Sequence, residues 1–168
     1  MKLVLPTAEY KASLLAAAAE HEAAGETLDY TMLPTFDDFD EGLLRLQDHA
    51  AGRNLEPGWV ADTTYWLVDD GEYIGRISVR HQLNDRLRQV GGHIGYNIRP
   101  SKRRQGCGGH ILRLVLPEAK QLGINPALVT CNDDNIASWK IIEANGGKLE
   151  NKIELDGRLI RHYWVETA

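Results

Sequence analysis

The chain has 168 residues, enough for one domain with an adequate core, and its 43% hydrophobic and 26% charged residues are ordinary for a globular protein. A net charge of −5 argues against nonspecific nucleic-acid binding, which needs a surplus of Lys and Arg. Two cysteines, Cys107 and Cys131, suggest no disulfide framework, no apolar run approaches membrane-spanning length, and a start containing Lys2, Pro6 and Glu9 does not read as a secretory signal. These features lead us to expect a single cytoplasmic domain over residues 1–168, with no metal, membrane or nucleic-acid partner.

In chain order, Lys2 to Leu5 reads as a short strand ended by Pro6. Thr7 can cap an alanine-rich helix that runs through Ala24 and closes at Gly25. Asp29 to Pro34 is irregular, and a second helix runs from about Asp37 to Ala50, with Phe39, Leu43, Leu44 and Leu46 as core candidates. Gly52 to Asp62 is a long loop holding Pro57, Gly58 and Trp59. Thr63 to Val68 and Tyr73 to His81 are strands turned at Asp69-Asp70-Gly71. Asn84 to Arg88 is a polar loop, and Gln89 to Ile98 is the next strand. An amphipathic helix follows (Ile111, Leu112, Val115, Leu116, Ala119, Leu122), with Pro117 expected to kink it. Leu128 to Cys131 is a buried strand, Asn132-Asp133-Asp134 supplies cap chemistry, and a helix from Asn135 stops at Gly146-Gly147. Strands near Lys148 to Leu155 and Leu159 to Val165, turned at Asp156-Gly157, complete an α+β order around one sheet.

The most informative stretch is Arg103-Arg104-Gln105-Gly106-Cys107-Gly108-Gly109, placed between a strand and a helix. The first amides of a helix lack partners and carry the positive end of its dipole. Glycines there let a phosphate reach bare backbone, so the loop reads as a pocket for a phosphorylated cofactor. A Walker loop would end in Gly-Lys-Ser/Thr, where this chain has Gly109-His110-Ile111. A dinucleotide fingerprint would need glycine at Ile111. The pattern Gln/Arg-x-x-Gly-x-Gly/Ala is met by Arg103, Gly106 and Gly108, and the run Ile94-Gly95-Tyr96-Asn97-Ile98-Arg99-Pro100 precedes it. On these motifs, and on the later strand, asparagine and glycine-stopped helix, the chain resembles the GNAT family of N-acetyltransferases. The resemblance is good from Thr63 onward and weaker before it.

The resemblance implies a GNAT fold: an α+β domain with a mixed central sheet of about six to seven strands, about four flanking helices, and splayed strands that form the acetyl-CoA cleft. It implies pyrophosphate on the amides from Arg104 through Gln105, Gly106, Cys107 and Gly108 to Gly109, with Arg103 before them and the Cys107 side chain packed. Ile98 and its neighbours would pair with the pantetheine arm as an added strand does, Asn135 would bond the arm, and Ser138 lies one turn further on the same face. The implied reaction is acetyl transfer from acetyl-CoA to a primary amine by direct attack. Freeing such an amine near neutral pH costs roughly 4–5 kcal/mol, so a base is expected. His93 stands where the family often has a glutamate and reads either as that base or as a buried histidine bonded to backbone, with His81 behind it as a weaker candidate. Ile142 occupies the position of the family's usual acid tyrosine, which leaves solvent, Tyr96 or Ser138 to complete the step. The acceptor region would be Leu28 to Asp62, with Tyr30, Phe36, Asp37, Asp38, Asp40, Glu41 and Trp59; its acidic cluster reads either as a draw for a cationic amine or as a solvated helix start. A small-molecule and a peptide amine are both admitted as acceptor, as is a homodimer. Two rivals stand beside this reading: a non-catalytic acyl-CoA-binding module, and a nucleotide-binding protein with an unrelated loop.

Overall fold

The computed structural model describes residues 1–27 and 38–167; the stretch expected to be irregular over 29–34, and the candidates Tyr30, Phe36 and Asp37, lie outside them. Strands β1 (Lys2–Val4), β2 (Asp62–Asp69), β3 (Glu72–Arg80) and β4 (Ile94–Ile98) pair antiparallel in that order. Strands β5 (Ala127–Asn132), β6 (Lys148–Leu155) and β7 (Arg158–Val165) form a second antiparallel sheet in the order β5-β7-β6. The central layer is therefore two antiparallel half-sheets, where one mixed sheet was expected. They meet where the His93 amide donates to the Leu128 carbonyl at 2.7 Å. Among the described residues there are five helices: α1 (Lys11–Ala23), α2 (Phe39–Ala50), α3 (Asp85–Gln89), α4 (Cys107–Gln121) and α5 (Ile136–Ala144).

Helices cover both faces of the first sheet, and β2 and β3 are accordingly buried on both sides of their pleat. Leu67, Ile77 and Val79 share a core with Ile111, Leu112 and Val115 of α4, while Trp66, Val68 and Tyr73 pack with Tyr10, Leu14 and Phe39 of the first helices. Each such side chain contributes about 1.5–3 kcal/mol relative to exposure. The spacing of apolar residues in α4 thus decides which face turns inward.

Several boundaries differ from expectation, each for a local reason. Thr7 caps a 3₁₀ turn over Ala8–Tyr10, accepting from the Glu9 amide at 3.3 Å, and α1 begins only after it. Leu44 is exposed, because α2 buries Phe39 and Leu46 on its other face. The polar loop at 84–88 contains α3, capped by Asn84 Oδ1 accepting from the Leu87 amide at 2.9 Å. Consequently β4 starts at Ile94, after Gly91 and Gly92 have turned the chain through φ of 105° and 60°. Gly92 is irreplaceable in this sense: a Cβ there would overlap the Leu128 backbone. The helix α4 runs unbroken through Pro117, which is exposed like Arg113, whose carbonyl the proline deprives of a bond; water can satisfy it.

Arg99, buried at the end of β4, ties this frame together. It reaches Glu20 of α1 at 2.7 Å and Glu72 of β3 at 3.0 Å, and Glu20 in turn accepts from the Ser101 amide at 3.1 Å. The start of the glycine loop is therefore clamped to α1. No helix of the described residues is long and apolar enough to cross a membrane.

Candidate active site

The loop leaves β4 through a 3₁₀ turn at Pro100–Lys102, then reverses at Arg104 and Gly106, with φ of 59° and 82°. Gly106 adopts that left-handed conformation without steric cost and opens α4. The first bond into the helix runs from the His110 amide to the Gly106 carbonyl at 3.1 Å. The amides of Cys107, Gly108 and Gly109 precede it and point out of the helix end, a ready seat for an anion. Gly108 also has a packing role: a Cβ there would stand 2.6 Å from Ile141 Cδ1 of α5. At Gly109 the nearest atom would be Asn145 Nδ2 at 3.9 Å, an ordinary contact.

The loop's side chains are placed differently from its amides. Arg103 grips Glu26 with both terminal nitrogens, Nη2 at 2.7 Å, and donates from Nε to the Ile98 carbonyl at 2.9 Å. This bond from Arg103 comes first among the causes that hold Glu26 at about 2, followed by one from His21. Lys102 pairs with Glu72 at 2.6 Å, and Gln105 donates to the Ser101 carbonyl at 2.8 Å. Much of the positive charge expected at the loop is thus drawn to neighbouring carboxylates, and Arg104 is exposed. Cys107 is buried in the core, as a packing side chain should be.

Beyond the His93–Leu128 junction β4 and β5 belong to different sheets, and a cleft of about 300 Å³ lies between them. Gly95, Tyr96, Cys131, Asn135 and Ser138 line it. The Tyr96 hydroxyl stands 3.0 Å from Ser138 Oγ. Burial pushes the Tyr96 phenol up to about 12, with the Ser138 bond acting the other way. Asn135 caps α5, its Oδ1 accepting from the Ser138 amide at 3.1 Å, which leaves its carboxamide N–H donors for the cleft. Ile98 packs partly against the core and gives its carbonyl to Arg103.

His93 sits at the crossing itself. Besides the amide bond to β5, its Nδ1 accepts from the Leu128 amide at 2.9 Å. Burial, then the charges of Arg88 and Arg80, lowers the ring to about 4. A neutral ring that accepts at Nδ1 carries its proton on Nε2, so it has no lone pair for an amine while that bond stands. His81 is engaged as well, with Nε2 2.8 Å from Thr63 Oγ1.

A second cleft, of about 280 Å³, shares Arg80, Val90 and Gly91 with the first and continues past Trp59, Asp62 and Arg86. Asp62 is buried, with His49 Nδ1 3.4 Å away, and the His49 ring meets Trp59 edge-on at 5.6 Å. Burial raises the Asp62 carboxyl, while the charges of His49 and Arg80 favour its ionised form. Arg80 Nη1 donates to the carbonyls of Gly91 at 3.0 Å and Gly92 at 3.2 Å. His49, Trp59 and Asp62 were within the acceptor region expected from sequence; Arg80 and Arg86 were not. A basic residue in phase with the buried Ser78 of β3 was the available signal for Arg80. Asp38, Asp40 and Glu41 are exposed at the start of α2, on a solvated helix end.

Residues 5–148 match a family model described as an acetyltransferase (GNAT) domain. No curated protein matches the sequence. Solved structures do match in fold. One is a putative acetyltransferase of Salmonella typhimurium with its cofactor acetyl-CoA, at TM-score 0.65 and 12% identity, covering 99% of this chain and 94% of that one. Another, also from Salmonella typhimurium, is an acetyl transferase that modifies the N-terminal serine of a 50S ribosomal subunit protein, at TM-score 0.62 and 18% identity over 98% and 93%. A variant of a spermidine N-acetyltransferase from Vibrio cholerae aligns at TM-score 0.65 and 14% identity over 99% and 95%.

Proposed function

The chain belongs to the GNAT acetyltransferase family, and on that premise we propose that its single domain transfers the acetyl group of acetyl-CoA to a primary amine by direct attack, in the cytosol. One observation carries this reading: an open cleft parts β4 from β5, and β4 runs on through the turn at Pro100–Lys102 to the bare amides that start α4, which fits an extended arm with a pyrophosphate at its end. The backbone from Arg104 to Gly109 would hold the pyrophosphate and Asn135 Nδ2 the arm, while Arg103 and Gln105 shape the loop from outside. The amine nitrogen attacks the acetyl carbon, the C–N bond forms, and the C–S bond breaks with its electron pair on sulfur. In sum an ammonium and acetyl-CoA give the N-acetyl product, the CoA thiol and one proton to solvent.

Tyr96 is the donor we assign to the leaving sulfur. A phenol near 12 does not give up its proton to a thiolate of about 8.5, so Tyr96 acts by hydrogen bonding and water supplies the proton. This supplies what Ile142, fully buried in the core, cannot. It is also the ground for preferring an enzyme over a non-catalytic acyl-CoA-binding module.

His93 we assign to positioning: it holds the β4–β5 crossing rather than taking the amine's proton. His93→Asn offers a carboxamide oxygen where Nδ1 accepts, and is expected to keep kcat within about threefold, with an unchanged pH profile. A loss of about a hundredfold or more, the size of a missing base, would restore the catalytic role.

Thiol release during incubation with acetyl-CoA and an amine panel tests the function. Gly109→Glu serves as its internal control. The new side chain has room, and an acidic residue in the first turn suits the helix, yet its charge opposes a pyrophosphate. Turnover by the native chain and at least about a tenfold loss of acetyl-CoA affinity in the variant are expected. Equal affinity for both proteins would remove the loop from the site.

A further inference from the structure

The second cleft carries a charge pattern that bears on the acceptor. Its walls at Trp59, Val60, Leu87 and Val90 are apolar. Asp62 and Arg80 are cross-strand partners of β2 and β3, and their opposite charges offset each other. Arg86 then decides the balance. It is exposed on α3, it lines the cleft, and among the described residues no carboxylate lies within ion-pair distance of it. Over the described residues that line it, the cleft has one more cation than it has anions.

Arg80 stands where this cleft opens into the one between β4 and β5. An acceptor whose amine lies at that opening presents it to the β4–β5 cleft. A diamine would bring its second ammonium against Arg86, whereas a carboxylate would meet a guanidinium able to hold it with two parallel bonds. We infer that the acceptor is a small amine that also bears a carboxylate, with its amine at the Arg80–Gly91 junction, its carboxylate on Arg86 and its apolar body against Trp59.

This inference rests on the transfer reading, and its test separates the two. Matched acceptors are compared: phenylalanine against phenethylamine, and 4-aminobutyrate against butylamine, with spermidine and a serine-headed peptide beside them. Thiol release from acetyl-CoA reads turnover, and calorimetry without acetyl-CoA reads acceptor binding. The carboxylate-bearing member of each pair is expected to have a kcat/KM at least about tenfold higher. Arg86→Gln, at an exposed position, is expected to cut that preference to within about threefold by raising KM, with acetyl-CoA affinity unchanged. Equal or reversed preference, spermidine or the peptide as best acceptor, an unaffected Arg86→Gln, or carboxylate amines that neither bind nor react would each overturn the inference. Carboxylate amines that bind in an Arg86-dependent way to a chain that turns over nothing would uphold the cleft assignment and overturn the transfer reading.

Discussion

Arg99→Met is expected to lower the stability of the fold by about 3 kcal/mol, and Tm by about 6–12 °C for a chain of this size. Methionine keeps the length and apolar stem of the side chain, so the loss reports charge and hydrogen bonding rather than a cavity. Removing one partner of a buried ion pair leaves the other uncompensated. Glu20 and Glu72 retain side-chain exposures of 29% and 39%, so water recovers part of the cost and the figure lies at the low end for such pairs. The pH dependence has a definite sign. The Arg99 hydrogen bond is the first cause that holds Glu20 at about 2, against an ordinary 4.5. A carboxyl with a depressed folded value stabilises above its unfolded value, and that contribution disappears as pH falls from about 4.5 to about 2. The gap in stability between native chain and variant should therefore narrow over that window, which thermal melts across pH can follow. A shift in Tm below about 2 °C, or a gap indifferent to acid, would refute the clamp.

Tyr96→Phe is expected to lower kcat roughly ten- to a hundredfold, with acetyl-CoA affinity changed by less than about threefold. The lower part of the range for lost transition-state donors applies, because a thiolate leaves without much help near neutral pH. Phenylalanine keeps the ring against the core and removes the one atom that reaches Ser138. Ser138→Ala provides the contrast. It removes the Oγ partner but keeps the Tyr96 hydroxyl and the Ser138 carbonyl 3.4 Å from it, and should leave kcat within about threefold. A Tyr96→Phe enzyme of native rate would return the leaving-group step to solvent alone.

The site was legible where chemistry demanded a residue type at a fixed spacing. Gly106 and Gly108 announced a turn into a helix with open amides, and the structure has that turn, although Gly108 serves helix packing as well. The side chains around it were less legible, because ion pairing is a property of the fold. Arg103 is spent on Glu26 and Lys102 on Glu72, acids far away in sequence. Asn135 illustrates a residue open to two readings: its oxygen caps α5, and the residue also lines the cleft. His93 looked like a base because of its position in the pattern, and only the β5 backbone beside it showed the Nδ1 lone pair in use.

The strands from β2 onward followed from alternation and turn residues, and α4 from its apolar stripe through Pro117. The parting of β4 from β5 followed only from the family resemblance, with its splayed strands, because it depends on Gly92 and Leu128 crossing rather than on any local propensity. The first half of the chain carries helices with few motif residues, yet the family match extends back to residue 5. The cleft proposed for the acceptor was the least legible part. It is lined from the loop at Trp59, β2, β3 and α3, and its charge balance is readable only once Asp62 and Arg80 are seen as neighbours.

Calorimetric titration of the native chain with acetyl-CoA, with ATP as control, tests the central claim most directly. The account predicts one site of micromolar affinity for acetyl-CoA and no binding of ATP, whose phosphates would lack the arm that fills the cleft between β4 and β5. No binding of acetyl-CoA, or equal binding of both ligands, would contradict it.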